Sequence, residues 1–257
     1  MHFVVAKIVI GFAVGILVGL TGMGAGVVLL PVLIFGFRVP PIIAVGSDAV
    51  FNAVTKLGSG YLHYRQGTVN RCLLGSLLVG SIPGAIAGVA LLALLRGHYG
   101  NGVNEFLKVA TGVLLIAIPA MVLLPVGIKE QADAQRMPQK GLHFPVVATG
   151  GLAGFLVGMT SIGSGTVTMV LLLLLFPSAP ALMVGTDIVH AVALTGFTSI
   201  LHLRLGTVDP LLIAYLLVGS IPGALLGTRL SSFLPGHWLK RILCCALLIT
   251  GARMLMI

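Results

Sequence analysis

Residues 19–88 and 158–227 carry one pattern twice, at a constant offset of 139 and without a gap, with 29 of 70 aligned positions identical. The run GSIPGA stands at 80–85 and again at 219–224. A duplication of this extent constrains the fold more than any single motif. The chain must build one structure from two homologous units that bury their apolar faces together.

Composition decides the medium. The chain has 257 residues, 58% hydrophobic and 8% charged, with a mean hydropathy of +1.14. A soluble domain carries roughly 25% charged residues. Long apolar runs separated by short polar breaks predict an all-α polytopic membrane protein. The alternating segments of about 10 residues that mark a transmembrane barrel do not occur. The formal charge of +9 comes from Lys and Arg scattered mostly near segment ends, with Lys240 and Arg241 adjacent but no longer basic run, so it predicts interfacial anchors rather than a nucleic-acid partner. Cys72, Cys244 and Cys245 form no CxxC and no zinc spacing. No metal or cofactor is expected.

Two homologous repeats follow, about 4–125 and 143–257, joined by a polar linker at about 126–142 and forming one transport domain over 1–257. Each is expected to hold about four helical segments, the first broken at a Gly-rich stretch. The N-terminal run resembles a secretory signal, but 11–18 matches 150–157 inside the chain, so it is expected to be retained. The first block, about 4–37, is too long for one span of about 20 residues. At its middle stand Thr21, Gly22, Gly24 and Gly26, and the second copy has Thr160, Ser161, Gly163, Ser164 and Gly165. Glycine costs roughly 1 kcal/mol per residue in a helix interior, so both stretches predict unwound backbone at membrane depth. Such backbone survives only where it is buried or lines an aqueous cavity. Its free N–H groups and hydroxyls suit an oxyanion. Counting each broken block as one span gives four spans per half and parallel repeats, and counting it as two crossings gives five and inverted repeats; base rates for transporters lean towards inversion.

The helix after each break is polar. The stretch 46–69 contains Asp48, Asn52, Thr55, Lys56 and His63, and 185–208 contains Asp187, His190, His202 and Arg204. Asp48, Asn52 and Lys56 are four apart and share a face. A charge near the bilayer centre costs about 2.5–3.5 kcal/mol, so that face must meet protein or water. Two roles are open to the acids. With Ser47 and Thr186, Asp48 and Asp187 could cap helix starts, or they could bind substrate or protons. Lys56 could offset an anion, or pair with Asp48 or with Asp187. His190, whose imidazole titrates near neutrality when unperturbed, is the candidate proton relay, beside a purely structural hydrogen bond. His63, Arg65, His202 and Arg204 are expected to anchor helix ends at the interface, and Asn52 and Thr55 to be polar packing or ligand contacts.

The duplicated break, the GSD/GTD helix, HxRxGTV and GSIPGA, in this order in both halves, resemble the sulfite exporter TauE/SafE family of membrane permeases. The resemblance covers nearly the whole chain apart from the linker and the ends. It implies transport of sulfur-containing anions such as sulfite and organosulfonates across a bacterial cytoplasmic membrane. Asp48 and Asp187 add acid to such a path and favour proton coupling.

The resulting expectation is a secondary transporter, not an enzyme, moving a small anion with protons. Substrate would meet Thr21, Gly22, Gly24, Gly26, Asn52, Lys56, Thr160, Ser161, Gly163, Ser164 and Gly165. Asp48, Asp187 and His190 would carry protons. Membrane lipid and a second copy of the chain are the expected partners, the latter as a homodimer. The alternatives are a carrier of a cation or neutral metabolite using the Asp pair, and a passive channel.

Overall fold

A computed structural model describes residues 2–21, 26–123, 141–175, 180–230 and 236–256. The described residues form ten α-helices and no strand. In the first half these are α1 (His2–Thr21), α2 (Gly26–Pro31), α3 (Pro41–Arg65), α4 (Arg71–Tyr99) and α5 (Gly102–Leu123). The second half contains α6 (Phe144–Thr160), α7 (Val167–Leu175), α8 (Pro180–Leu205), α9 (Pro210–Leu230) and α10 (Gly236–Met256). The first apolar block of the second half is thus divided into α6 and α7, while in the first half α1 and α2 flank residues 22–25, which lie outside the described residues. A π-helical turn, Val32–Gly36, extends α2. The expected linker lies outside the described residues except for 141–142.

Among the described residues four helices are long and apolar enough to cross a membrane: Arg71–Tyr99, Gly102–Ala120, Leu182–Leu205 and Pro210–Gly227. Val4–Leu20 and Phe144–Thr160 are among the shorter apolar helices. Large apolar side chains such as Val79, Leu94, Val113, Val218 and Leu225 are exposed, as lipid-facing positions of an integral membrane protein are. Cationic side chains lie over aromatic rings near helix ends, with Arg65 over Tyr61 at 5.8 Å and Arg71 over Tyr64 at 5.9 Å, the arrangement of an interfacial belt.

In lipid there is little hydrophobic force between helices, so close packing must hold them. The glycine ladders supply it. On α4, Gly80, Gly84 and Gly88 lie on the backbone carbonyls of Val147, Gly151 and Phe155 of α6. On α9, Gly219, Gly223 and Gly227 lie likewise on Ile8, Phe12 and Ile16 of α1. A Cβ at any of the six would run into a carbonyl oxygen. Both numberings rise together, so α4 and α6 are parallel, as are α1 and α9.

The polar helices α3 and α8 pack side by side and antiparallel. Gly46 meets Thr207, Gly60 meets Val192, and Gly185 meets Thr68. The helices α5 and α10 also run antiparallel, with Gly112 against Met254 and Gly251 against Leu115 and Ile116.

The candidate substrate and proton site

Asp48 and Asp187 do not cap helices. The chain is already helical from Pro41 and from Pro180, so each carboxylate stands seven residues in, about 10 Å from the helix start at 1.5 Å per residue. The hydroxyls beside them serve the opposite half. Ser47 Oγ accepts from the Asp209 N–H at 3.0 Å, and Thr186 Oγ1 accepts from the Asn70 N–H at 2.9 Å. Asn70 and Asp209 in turn cap α4 and α9 through their side-chain oxygens. This stitching fixes the depth of both acids and leaves them no capping duty.

Asp48 is fully buried. Asn52 Nδ2 donates to Asp48 Oδ2 at 2.8 Å and to its carbonyl at 3.1 Å, which restrains the carboxylate. Asp48 Oδ1 has no hydrogen-bond partner within 3.5 Å, while the Ser161 hydroxyl acts on the same carboxylate. Gly26, at the start of α2, lies against this carboxylate and against the Ser161 carbonyl; a Cβ there would stand 3.2 Å from Ser161 O and collide with Asp48 Oδ2. The start of α2 and the second break therefore approach each other at Asp48.

The second break, 161–166, is described throughout. Ser161 ends α6 in the left-handed conformation (φ 58°) and donates its N–H to Val157 O at 2.8 Å. A side chain in this region costs roughly 1–2 kcal/mol, and the equivalent residue in the first half is Gly22. Gly163 (φ 113°) and Gly165 (φ 112°) continue the turn in conformations that favour glycine. Lys56 reaches this loop from α3, donating to Ser164 O at 2.7 Å and to Ser164 Oγ at 3.3 Å. It makes no contact ion pair: among the described residues only Lys108 and Glu105 lie within 4 Å of each other as opposite charges. Asp187 and Asp48 nevertheless both lie within the reach of its charge.

Asp187 makes no protein hydrogen bond through Oδ1. His190, one turn further along α8, is fully buried, with Nε2 3.0 Å from Ser81 Oγ and Nδ1 without a partner. Its ring also lies within reach of the Lys56 charge. No three His, Cys, Asp or Glu side chains among the described residues converge as a metal site would require. The result is one buried ammonium among two carboxylates and an imidazole, with Asp187 Oδ1 and His190 Nδ1 unsatisfied by protein and the Ser161 hydroxyl acting on the Asp48 carboxylate. Buried polar atoms are nearly always paired, so this group is a candidate place for a ligand, a proton or water, although Thr111, His143, Thr166 and Ser220 also carry unpartnered polar atoms elsewhere among the described residues.

Some expected residues take other roles. Thr160 gives its hydroxyl proton to Leu156 O at 2.7 Å and accepts from Ile162 N at 3.3 Å, so it is occupied in ending α6. Thr55 bonds back to Phe51 O at 2.8 Å. Thr21 ends α1, while Gly22 and Gly24 lie outside the described residues. His202 is no interfacial anchor: it is fully buried, with Nε2 3.0 Å from Gly158 O. Ser81 was hidden within GSIPGA, whose glycines account for its packing without it. Only its equivalence to a second serine, Ser220, buried and unpartnered, hints that the hydroxyl has a separate use.

Comparison with known proteins agrees with this picture. The family model described as "Sulfite exporter TauE/SafE" matches residues 7–254. The "Probable membrane transporter protein YjnA" of Bacillus subtilis (strain 168) is 36% identical over 254 residues, covering 98% of this chain and 99% of the relative. "Probable membrane transporter protein YdhB" of the same organism is 25% identical over 247 residues, covering 95% and 96%. "Probable membrane transporter protein YunE", also from that organism, is 26% identical over 281 residues, covering 99% and 98%. No solved structure matches the chain.

Proposed function

Because the chain belongs to the sulfite exporter TauE/SafE family and is a membrane transporter, we propose that it is a secondary transporter of a small sulfur-containing anion, of the sulfite or organosulfonate class, coupled to protons. The observation that carries this reading is the buried group around Lys56. With both carboxylates ionised it holds one positive and two negative charges, a net charge of −1. A further anion at that depth is opposed by several kcal/mol unless charge is neutralised. One proton on Asp187 brings the group to neutrality, so anion and proton enter the site together. The unpaired donors and acceptors, with Lys56 beside them, then face the cargo. Asp48, restrained by Asn52, is the fixed acid; Asp187 and His190 exchange the proton.

Antiparallel packing of the equivalent pairs α3/α8 and α5/α10 supports an inverted relation between the halves. Helix breaks at a repeat interface are a recurrent site for substrate in such folds. Flux of sulfite, thiosulfate, sulfonates and carboxylates into proteoliposomes tests the substrate class. Saturable flux of sulfonates over carboxylates is expected, and saturable counterflow separates a carrier from a channel.

The acid excess favours a second reading, in which Asp48 and Asp187 bind a cation or neutral cargo. Net positive charge movement on adding cargo without a pH gradient would select it.

A further inference from the structure

The two HxRxGT turns are equal in sequence and unequal in use. In both, the imidazole Nδ1 meets the threonine hydroxyl at 2.9 Å, His63 with Thr68 and His202 with Thr207. The other nitrogen differs. His202 Nε2 lies 3.0 Å from the Gly158 carbonyl, which only accepts, so Nε2 carries the proton and donates. Gly158 is in the last turn of α6, where carbonyls lose their helical partners; His202 therefore ties down the end of α6 just before the second break. The equivalent of Gly158 is Gly19, two residues before the last described residue of α1. His63 Nε2 has no protein partner among the described residues.

The surroundings differ in the same sense. Thr198 and His202 of α8 are buried, whereas their equivalents on α3, Ser59 and His63, are exposed and half-buried; Thr195 and Lys56, and Ser199 and Gly60, are buried alike. Lys56 adds a second hold on the same break through Ser164, whereas its equivalent, Thr195, bonds back to Ala191 O at 2.6 Å within its own helix. Two homologous units in unequal arrangements are what one state of an alternating pair looks like.

We propose that His202 and His63 are positioning residues that alternate: His202 holds the carbonyl of Gly158 in the present state, and His63 takes that of Gly19 in the other. The inference rests on the transporter reading, but its structural half does not need a substrate. In nanodiscs, amide hydrogen exchange separates the two. His202→Ala removes one buried hydrogen bond, so exchange at 158–166 rises about tenfold, while protection at 17–21 increases as His63 engages. His202→Gln, which keeps a donor for Gly158 O, retains the wild-type pattern. His63→Ala leaves protection at 158–166 intact yet slows flux severalfold. Faster exchange spread over the whole chain in His202→Ala, or no gain at 17–21, would overturn the proposal. Should His202→Ala fail to fold, unchanged flux in His63→Ala overturns it equally. Absence of flux in the wild-type protein, with the exchange pattern as expected, removes the transporter reading and leaves the alternating contacts standing.

Discussion

Lys56 is stabilised in an apolar helix by a backbone carbonyl, Ser164 O, rather than by a carboxylate. Removing it leaves that carbonyl unbonded and two buried acids without their nearby positive charge. Lys56→Met is therefore expected to abolish flux and to lower stability by about 3–5 kcal/mol, the usual cost of stranding buried charge, seen as a fall in thermal unfolding temperature in detergent. Ser161 makes the opposite prediction. Relieving its left-handed conformation (φ 58°) with Ser161→Gly gains stability by roughly 1 kcal/mol, and the same unfolding assay shows it. At this scale the sequence was readable where partners are one helical turn apart, as for Asp48 and Asn52. It was silent on Lys56 with Ser164 or His190 with Ser81, because these pairs stand 108 and 109 residues apart and are brought together only by packing. His202 misled for a related reason: a place near a helix end does not say how deep that end is packed.

Among the elements, the glycine ladders and the breaks do different work with the same residue. On α4, Gly84 touches the α6 backbone, while a Cβ on Gly75 would meet nothing within 4 Å. Gly84→Leu must push α4 from α6 and is expected to cost about 1–3 kcal/mol or more, as overpacking does. Gly75→Ala is expected to be neutral or to stabilise by up to about 1 kcal/mol; thermal unfolding of the pair measures the difference. The spacing of four announced the ladders, and glycine density announced the breaks. Which helix each ladder meets was not legible, since α4 and α6 are separated in sequence by α5 and their contact is set only by packing. The capping reading of Ser47 and Thr186 failed on helix length: both helices begin one and a half turns earlier than glycine suggested, at Pro41 and Pro180, where proline suits a first turn.

For the whole molecule, hydropathy made an all-α membrane architecture legible, and the structure adds that α3 and α8 pack antiparallel. The division of chemistry between the halves was also visible as sequence: Lys56 opposite Thr195, His190 opposite Phe51. What sequence could not supply was that Lys56 and His190, from different halves, lie within reach of each other. Coupled flux through the buried group around Lys56 is the central claim. The decisive measurement is accumulation of a labelled organosulfonate, ionised at every working pH, in proteoliposomes with an imposed pH gradient. The sulfonate is expected to accumulate on the alkaline side, to stop doing so when an uncoupler collapses the gradient, and in Asp187→Asn to equilibrate without responding to it. Failure of every anion in the sulfite and sulfonate panel to accumulate, or equal pH-driven accumulation by Asp187→Asn, would contradict it.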